Sequence, residues 1–373
     1  MSPAMHAIEG KARHRAEMAL TALAVFPLVL GLLNLRALSR APRRAPSGDE
    51  GVSVLIPARN EAGQIKEALA AIIANGPIVR EIIVLDDHSS DDTVARIREV
   101  RNERIRIVSG EDLPSGWCGK SHACAQLARQ ARHGWLLFLD ADVRLAPDAV
   151  ARLMAGTEDQ ETIAFISGVP HQETRSFLEW LLLPFINVLL FGYLPLPLDQ
   201  GRSSGLAAAC GQLVLVKAQA YHAAGGHEAI GWRLHDGLAL ARSLRQHGFR
   251  TRLIDATDLA HCRMYRNAGE VYAGLMKNAV EGLAGPVALP VWTTLLAGGH
   301  ILPFLLRASP LMKVARAASL ALRLLVALRC RQGVLTVLFS PLGTLLLLWI
   351  QFHARLRHMT GRPVTWKGRL YET

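Results

Sequence analysis

Short apolar runs alternate with amphipathic stretches between Gly51 and about Asp255, and this alternation constrains the fold more than any other feature of the chain. The apolar runs are typical of buried strands, and the amphipathic stretches are typical of helices. Strands that alternate with helices predict an α/β fold with a mainly parallel, mixed sheet covered on both faces. The predicted strands are residues 52–56, 81–85, 105–108, 135–139 and 212–217, and the main predicted helices are residues 62–74, 120–131 and 236–245.

Polar clusters follow three of the predicted strands at the point where each strand ends. Residues 57–61 follow the first strand, Asp86 and Asp87 end the second, and residues 140–142 follow the fourth. In sheets of this kind ligands bind beyond the carboxyl ends of the strands. The sequence therefore predicts that the three clusters meet at one edge of the sheet and form a binding site.

Asp140 and Asp142 form the predicted metal site. Two carboxylates separated by one residue, just past a buried strand, can hold a hard divalent cation. Mg²⁺ is typically held by one or two carboxylates together with substrate phosphates. A cation at this position would neutralise a diphosphate leaving group.

Four further side chains indicate nucleotide binding. Arg59 carries a fixed positive charge that can bind a phosphate or a base carbonyl. Lys120 opens a predicted helix, where its ammonium and the free backbone N–H groups can both face phosphate. Asp86 and Asp87 can accept hydrogen bonds from an imide N–H or a ribose hydroxyl. The alternative for Asp87 is that it caps the helix that follows.

Asp236 lies at the start of a predicted helix, after a break at Gly225 and Gly226. Its carboxylate could act as a general base that takes a proton from an acceptor hydroxyl. It could also be an N-terminal charge favoured by the helix dipole. His235 is a rival base, because an imidazole titrates near neutral pH.

A charge-free run near the N-terminus, residues 18–35, has about the length of the roughly 20 residues needed to cross a bilayer. A cleaved signal peptide is the alternative, but no small-residue cleavage site follows, so we expect an uncleaved anchor. Three basic residues precede the run and four follow it by Arg44, a slight excess that places the following domain in the cytoplasm.

Two further charge-free runs, residues 284–306 and 334–352, are long enough to span a bilayer, which predicts a multi-pass protein. The apolar stretch between them, residues 311–328, is predicted to be an amphipathic helix at the membrane interface. A transmembrane helix with a polar seam is the alternative. The interfacial prediction rests on three basic side chains that share one arc of the helix, Lys313, Arg316 and Arg323.

The basic composition favours an anionic partner, since the formal net charge is +11. No block of five or more like charges occurs, so we expect no nucleic-acid partner. The arginines flank apolar runs instead, which favours a membrane surface. The five cysteines are widely spaced and include no Cys-x-x-Cys pair, so a zinc site or redox motif has no support.

Five motifs together resemble a family 2 glycosyltransferase of the GT-A fold, and the resemblance runs from Val52 to Asn278. Further motifs look most like the membrane-bound group associated with carotenoid and hopanoid modification. The five are IPARNE (56–61), VLDDHSSDDT (84–93), Gly119-Lys120 with Ala123, FLDADV (138–143) and AGGHEAI…HDGLALARSLRQHG (224–248). The finer match rests on LPSGWCGK (113–120), CRMYR (262–266), Lys277-Asn278 and TWKGRLY (365–371).

The resemblance implies an inverting transfer from a nucleoside diphosphate sugar, usually a UDP-sugar, with Mg²⁺ or Mn²⁺ as cofactor and a lipid-type hydroxyl as acceptor at the membrane. It implies that Asp236 is the catalytic base and that Asp140 and Asp142 hold the metal. The implied donor-binding residues are Pro57, Arg59, Asn60, Glu61, Asp86, Asp87, Lys120 and Asp140, and those expected to contact the acceptor or the diphosphate are Arg263 and Tyr265.

The chain departs from the family pattern at two places. His235 stands where a glutamate is usual, but Asp236 after it is kept. Residues 262–266 replace the Gln-x-x-Arg-Trp motif of processive members, which argues against a polymer-extruding synthase. Two other functions stay open. One is a polyprenyl-phosphate sugar transferase, which needs no general base, and the other is a catalytically silent membrane scaffold.

These observations predict three regions in the chain. Residues 1–45 are the N-terminal membrane anchor, residues 46–280 are the GT-A domain, and residues 281–373 are transmembrane and amphipathic helices with a basic tail. Within the GT-A domain, the proline-broken stretch 177–198 is expected to lie on the membrane surface, with a buried core helix as the alternative. The predicted location is the inner (plasma) membrane.

Overall fold

The structure, a computed structural model, describes residues 3–158, 163–362, 364–366 and 369–371. The chain divides into two compact units, and each of them is discontinuous in sequence. We call them the sheet unit and the helical unit. The sheet unit consists of Leu38–Glu173 and Leu196–Met264, and the helical unit consists of Met1–Ala37, Thr174–Pro195 and Tyr265–Thr373.

Strands and helices follow one another closely along the described residues. The strands are β1 (Val52–Ala58), β2 (Val79–Asp86), β3 (Ile105–Ser109), β4 (Trp135–Leu139), β5 (Val143–Leu145), β6 (Ile163–Gln172), β7 (Leu213–Lys217), β8 (Arg250–Cys262), β9 (Val364–Trp366) and β10 (Arg369–Tyr371). The helices are α1 (Pro3–Ala37), α2 (Ile65–Ile73), α3 (Thr93–Arg98), α4 (Gly119–Gln130), α5 (Ala149–Glu158), α6 (Phe177–Leu182), α7 (Phe185–Tyr193), α8 (Ala218–Ala223), α9 (Asp236–Gln246), α10 (Ala268–Ala279), α11 (Ala288–His300), α12 (Leu302–Leu305), α13 (Pro310–Arg329) and α14 (Ser340–Met359).

The sheet unit is built on eight strands in the order β3-β2-β1-β4-β7-β6-β8-β5. Strand β1 pairs in parallel with β2 and β4, β2 with β3, and β6 with β8. Strand β7 is antiparallel to both of its neighbours, and β5 is antiparallel to β8. The predicted α/β fold with a mainly parallel, mixed sheet is confirmed.

Hydrophobic packing covers both faces of this sheet. Side chains alternate between the faces of a strand, and in β1 Val54 and Ile56 belong to one buried cluster while Leu55 belongs to another. The first cluster includes Leu69 of α2, and the second includes Leu127 of α4. Since β1 is buried on both sides, it reads as a continuous apolar run, which is why the sequence could locate it.

In the helical unit, α1 packs closely against three other helices, α13, α7 and α11. Ala24 of α1 joins a buried cluster with Met312 and Ala315 of α13. A Cβ atom added at Gly299 of α11 would lie 2.7 Å from the backbone oxygen of Leu23 in α1. The small residues Ala24, Ala315 and Gly299 let the backbones of the helices approach each other closely.

One helix of the described residues is long and apolar enough to cross a membrane, namely Glu9–Ala37 within α1. Only 22% of its most apolar window is buried, and the side chains of Phe26, Leu32 and Leu33 are each more than half exposed. The core helix of a soluble domain would bury most of such a surface. The apolar surface of α1 is therefore left largely uncovered by the protein.

The two C-terminal runs predicted to span the membrane are not single helices. Residues 284–306 contain the 13-residue α11 and the four-residue α12, with Gly298, Gly299 and Pro303 at the interruption. Residues 334–352 begin with a separate turn, and Pro341 then opens α14. Proline removes a backbone donor and glycine weakens a helix interior. The structure therefore does not support the multi-pass prediction.

The basic arc predicted on residues 311–328 is not a uniform interfacial face. Lys313 is exposed and Arg316 is half-buried, but Arg323 is only 1% exposed. Its guanidinium carbon lies 4.7 Å from the centroid of the Phe185 ring in α7. Tertiary packing therefore turns one of the three basic side chains inward, which helical periodicity alone does not predict.

Two other predicted segments lie wholly or mostly in the helical unit, and only residues 196–198 of the first belong to the sheet unit. The stretch 177–198 begins with the short helices α6 and α7, which Pro184 separates. The C-terminal motif at residues 365–371 falls on the antiparallel pair of β9 and β10, while Lys367 and Gly368 lie outside the described residues.

Candidate functional site

The three polar clusters lie at one edge of the sheet unit. Strands β1, β2 and β4 are parallel neighbours, and Ala58 at the end of β1 pairs with Asp86 at the end of β2. The backbone N–H of Asp140, just past β4, donates to the carbonyl of Gln212 at 3.1 Å. The start of the antiparallel β7 therefore joins the carboxyl ends of three parallel strands.

Lys120 occupies the centre of this edge. Its Nζ lies 2.7 Å from Oδ1 of Asp140 and 3.0 Å from Oδ2 of Asp236, and it donates to the carbonyl of Gly211 at 3.1 Å. Lys120 lies in the first turn of α4, and its ammonium lies between Asp140, which follows β4, and Asp236, the first residue of α9. The structure thus joins three predicted site residues into one cluster, here called the Lys120 cluster.

Charge pairing controls the protonation of the Lys120 cluster. Burial, the largest single effect, raises the pKa of Asp236, but the Lys120 ammonium, His227 and the hydrogen bonds from Lys120 and the Gly237 backbone together outweigh it, and the net pKa is lowered. Burial lowers the pKa of Lys120, but Asp140 and Asp236 together raise it well above its ordinary value. Asp236 is therefore an ionised carboxylate at neutral pH, which is the form that can accept a proton.

Two glycines allow Asp236 to approach the edge of the sheet. A Cβ atom at Gly211 would lie 2.4 Å from Oδ1 of Asp236, and one at Gly237 would lie 2.6 Å from the backbone nitrogen of Gly211. A side chain at Gly237 would meet backbone atoms, and one at Gly211 would have to move the Asp236 carboxylate. The α9 start is therefore pressed against the strand that opens at Leu213, and Asp236 is only 8% exposed.

Gly211→Ala should lower turnover without unfolding the protein, because the added methyl group must displace the Asp236 carboxylate. A misplacement of roughly 1 Å at a reacting group can cost about 100-fold in rate. Gly134→Ala is the matched control, since a Cβ atom there meets nothing within 4 Å. Thermal melting and steady-state turnover of both variants test this. Equal turnover in the two variants would contradict the close approach.

Asp142 is held by a partner that sequence reasoning missed. Burial, followed by the nearby Asp142 carboxylate, raises the pKa of Cys262 well above its ordinary value, so this residue is a neutral thiol that can donate to Asp142. The side-chain amide of Gln212 donates to the Cys262 sulfur at 3.0 Å. The CRMYR motif begins at Cys262, but it gives no sign of a contact with Asp142, which arises because β8 ends beside β5.

The acidic residues fit a hard cation that takes its remaining ligands from a substrate. Asp140 and Asp142 provide two carboxylates, and with Asp236 they leave negative charge in excess over the single Lys120 ammonium. The described residues contain no group of three or more His, Cys, Asp or Glu side chains that could hold a metal alone. This donor set suits Mg²⁺ or Mn²⁺ bound together with phosphate oxygens better than a closed protein site.

The loops after β1 and β2 are joined to each other by hydrogen bonds. Arg59 Nη1 donates to the carbonyl of Asp87 at 2.6 Å. Asn60, whose backbone is left-handed with φ of 56°, accepts from the N–H of Ser90 at 2.8 Å. The N–H of Glu61 donates to Thr93 Oγ1 at 2.8 Å. These bonds make the two loops one rigid wall at the edge of the sheet.

The predicted nucleotide-binding residues on this wall differ in exposure. Asp86 and Pro57 are half-buried, whereas Asp87 and Glu61 are buried, at 7% and 9% exposure. The N–H of Ser89 lies 3.4 Å from Asp86 Oδ1, within the same loop. The wall therefore presents Asp86 more openly than Asp87.

The two residues predicted to contact the acceptor or the diphosphate, Arg263 and Tyr265, belong to different units. Arg263 is half-buried and directly follows β8 in the sheet unit. Tyr265 belongs to the helical unit and is only 4% exposed. Its ring packs over Gly274 of α10, where a Cβ atom would lie 2.1 Å from the tyrosine hydroxyl. The described contacts of Tyr265 are those of a packed side chain, and its role toward a ligand stays a prediction.

His227 and His235 are both near Asp236 but differ in environment. His227 is 2% exposed, its Nδ1 lies 2.9 Å from the Tyr221 hydroxyl, and burial lowers its pKa to about 4. His227 is therefore neutral at physiological pH. His235 is half-buried and occupies the N-cap position of α9, where its side chain makes no cap hydrogen bond. Of the two, His235 remains the rival base.

Lys120→Met should weaken binding of a nucleotide sugar by about 10- to 100-fold, since it removes a charge-assisted hydrogen bond. It should also raise the pKa of Asp236, because burial is no longer opposed by the ammonium. As the pH falls, Asp236 is then protonated at a higher pH than in the wild type, so activity on the acid side is lost at a higher pH. Titration of the donor and a pH–rate profile measure the two effects.

Lys120→Arg serves as the control for Lys120→Met, because it keeps the positive charge between Asp140 and Asp236. It should retain the acid side of the wild-type profile. If Lys120→Met changes neither the donor dissociation constant nor the pH profile, Lys120 has only a structural role.

Comparison with known families identifies the family of the domain that contains this site. Residues 53–215, which run from the start of β1 into β7, match the model described as Glycosyl transferase family 2. Residues 53–215 are a glycosyl transferase family 2 domain. The predicted family is therefore confirmed, and the Lys120 cluster lies partly inside the matched domain and partly in α9 beyond it.

Relatives of the family 2 domain extend the match along the chain. A 4,4'-diaponeurosporenoate glycosyltransferase of Staphylococcus aureus is 29% identical over 243 residues, which cover 63% of this chain and 62% of the relative. A mannosyltransferase from Pyrobaculum calidifontis, solved in complex with GDP-Man and Mn²⁺, superimposes with a TM-score of 0.54 at 20% identity. That match covers 92% of this chain and 99% of the other, and it shows a shared fold.

Proposed function

We propose that this chain is a glycosyltransferase that moves a sugar from a nucleoside diphosphate sugar, a UDP-sugar, to a hydroxyl group of a carotenoid-type or related lipid, with inversion at the anomeric carbon. The observation that carries the proposal is the Lys120 cluster. It combines an ionised buried carboxylate, an ammonium and a pair of metal-type carboxylates at the carboxyl edge of a family 2 domain.

The donor is proposed to bind across the loops that follow β1, β2 and β4. Asp86 accepts from the nucleoside, and Arg59 binds a phosphate or a base carbonyl. Asp140 and Asp142 would hold Mg²⁺ or Mn²⁺, which when bound neutralises charge on the diphosphate. Lys120 has two carboxylate partners in the free protein, and a diphosphate offers it a competing anion of the same kind.

The acceptor is proposed to lose its proton to Asp236. In a single displacement the acceptor oxygen forms a bond to the anomeric carbon, the bond from that carbon to the diphosphate oxygen breaks, and the hydroxyl proton goes to a base. Asp236 is ionised because Lys120 lowers its pKa, and it lies at the first turn of α9 with its carboxylate against Gly211. The diphosphate leaves as an anion, so charge is balanced.

We further propose that α1 anchors the protein in the inner membrane with the sheet unit in the cytoplasm. Full-length protein should stay in the membrane fraction after alkaline carbonate washing. A Phe26→Glu, Val29→Glu double variant should be released in part, because both side chains are at least half exposed near the centre of the run 18–35, where acidic residues are costly in a bilayer. Leu198→Glu, at an exposed leucine of the sheet unit, is the control and should stay bound. Recovery of the wild type without detergent would contradict the anchor.

The function is tested with full-length protein in detergent, a lipid extract and one donor at a time, namely UDP-glucose, UDP-N-acetylglucosamine or GDP-mannose. We expect one donor to be consumed and one lipid to gain the mass of its sugar, with the anomeric configuration inverted by NMR. A donor that binds but is never consumed would favour a silent scaffold. A product linked through phosphate would favour the polyprenyl-phosphate alternative.

A further inference from the structure

The most unusual side chain of the helical unit is Arg323, near the middle of α13. It is 1% exposed and is the largest of the fully buried side chains in the described part of the chain. None of its three guanidinium nitrogens has a hydrogen-bond partner among the described residues. A guanidinium carries five N–H donors and a charge that is not lost at physiological pH. Burying it without an acceptor is therefore unfavourable.

The neighbours of Arg323 do not compensate for this. The Phe185 ring lies 4.7 Å from the guanidinium carbon and attracts the cation through its face, but it accepts none of the in-plane N–H groups. The imidazole of His300 is close enough to interact electrostatically with Arg323. Both of its nitrogens are already used, however, Nε2 with the Tyr193 hydroxyl at 2.8 Å and Nδ1 with Ser319 Oγ at 2.7 Å.

Arg316, another arginine of α13, has hydrogen-bond acceptors within the protein and needs no ligand. Arg316 Nε donates to the carbonyl of Pro303 and its Nη2 to the carbonyl of Leu306, each at 2.7 Å. Arg316 is therefore satisfied by the protein itself. Arg323 differs from it in having both deeper burial and no acceptor among the described residues.

We propose that Arg323 is the head-group site for an anionic lipid, whose carboxylate or phosphate pairs with the guanidinium. Two oxygens of such a head group can accept parallel hydrogen bonds from the guanidinium. The head group thereby supplies the hydrogen-bond acceptors and the negative charge that Arg323 lacks. The lipid source follows from the surroundings. Leu324 and Leu328 of α13 are exposed, at 42% and 64%, so the helix that carries Arg323 leaves apolar surface uncovered for an acyl or polyene chain.

The proposal does not depend on the glycosyltransferase function. Arg323, Phe185 and His300 all belong to the helical unit, whereas the Lys120 cluster belongs to the sheet unit. A chain that transferred no sugar would still bind the lipid at Arg323, and a chain with Arg323 replaced would still contain the Lys120 cluster.

The test compares lipid binding by wild type and Arg323→Met, using full-length protein in neutral detergent. Methionine keeps an unbranched apolar stem but has no charge. Binding is followed by native mass spectrometry and by the melting temperature as dioleoyl phosphatidic acid or oleic acid is added. We expect each of them to bind wild type and Arg323→Met to need about 10- to 100-fold more lipid for half-saturation. Lys313→Met, which removes an exposed charge from α13, should bind like wild type.

Two further additions identify the ligand. Dioleoylglycerol has the same chains without a charge and should bind equally weakly to wild type and Arg323→Met. Inorganic phosphate has the charge without a chain and should not raise the melting temperature of wild type at the concentrations where phosphatidic acid does.

Three results would overturn the proposal. They are equal phosphatidic acid binding by wild type and Arg323→Met, a dioleoylglycerol effect as large as that of phosphatidic acid, and a phosphate effect as large as that of phosphatidic acid. The last would indicate a free-anion site. Without lipid, Arg323→Met should melt no lower than wild type, since an unpaired buried charge is removed. If Arg323→Met does not fold, Arg323→Gln replaces it in the same comparison.

Discussion

Asp236→Asn should lower turnover by about 100-fold or more and leave the dissociation constant of the nucleotide sugar nearly unchanged. General-base assistance is typically worth 10²- to 10⁴-fold, and an amide of the same shape cannot accept the proton. The variant should keep its structure, because Lys120 retains its 2.7 Å pair with Asp140 and the asparagine still fits against Gly211. Steady-state turnover and calorimetric titration of the donor separate the two quantities.

His235→Ala is the matched control for Asp236→Asn. His235 is the adjacent residue and the rival base, but it is half-buried at the N-cap position of α9, whereas Asp236 is buried and ion-paired with Lys120. His235→Ala should therefore cost far less turnover. If His235→Ala is inactive and Asp236→Asn is active, the base is misassigned. If both are active, the acceptor is already anionic and the polyprenyl-phosphate transferase is favoured.

Asp142→Asn should abolish transfer and remove the dependence of donor binding on a divalent cation. A carboxamide carries no charge and is a poor ligand for Mg²⁺, which prefers carboxylate oxygens. The substitution should leave the fold intact, since an asparagine keeps the shape of Asp142 and its amide oxygen can still accept from the neutral thiol of Cys262. Donor titrations with Mg²⁺, with Mn²⁺ and with EDTA measure the metal dependence without requiring turnover.

The control for Asp142→Asn is Asp148→Asn. Asp148 lies a few residues farther along the chain, its side chain is 61% exposed, and its carboxylate pairs only loosely with Arg152 at 3.6 Å. Asp148→Asn should keep full activity and full metal dependence. Full activity of the wild type in EDTA, or metal-dependent donor binding in Asp142→Asn, would exclude the metal role.

Local sequence patterns were enough to locate the α/β sheet and the edge at which its polar residues meet. Strand β4 was predicted with the bounds it has, Trp135–Leu139, because a strand buried on both faces leaves a continuous apolar run between polar residues. The positions of Asp86 and Asp140 followed from the same local signal, since each stands where such a run ends. Parallel neighbours then bring these ends together whatever the details of packing.

Which of these residues contact one another depends on tertiary packing. Lys120 meets Asp236 because α4 and α9 lie on the same face of the sheet and antiparallel β7 brings Gly211 to its edge. Cys262 meets Asp142 because β8 ends beside β5. These contacts join residues far apart in sequence, and the periodicity of a single strand or helix carries no information about them.

The helical unit shows the same division. The sequence located the apolar α1 and the basic α13, since length, hydropathy and charge are local properties. It did not determine that the C-terminal apolar runs break at their prolines and glycines, or that Arg323 faces inward onto Phe185. Burial of one residue on a helix depends on which helix packs against it, and that choice is made by the fold as a whole.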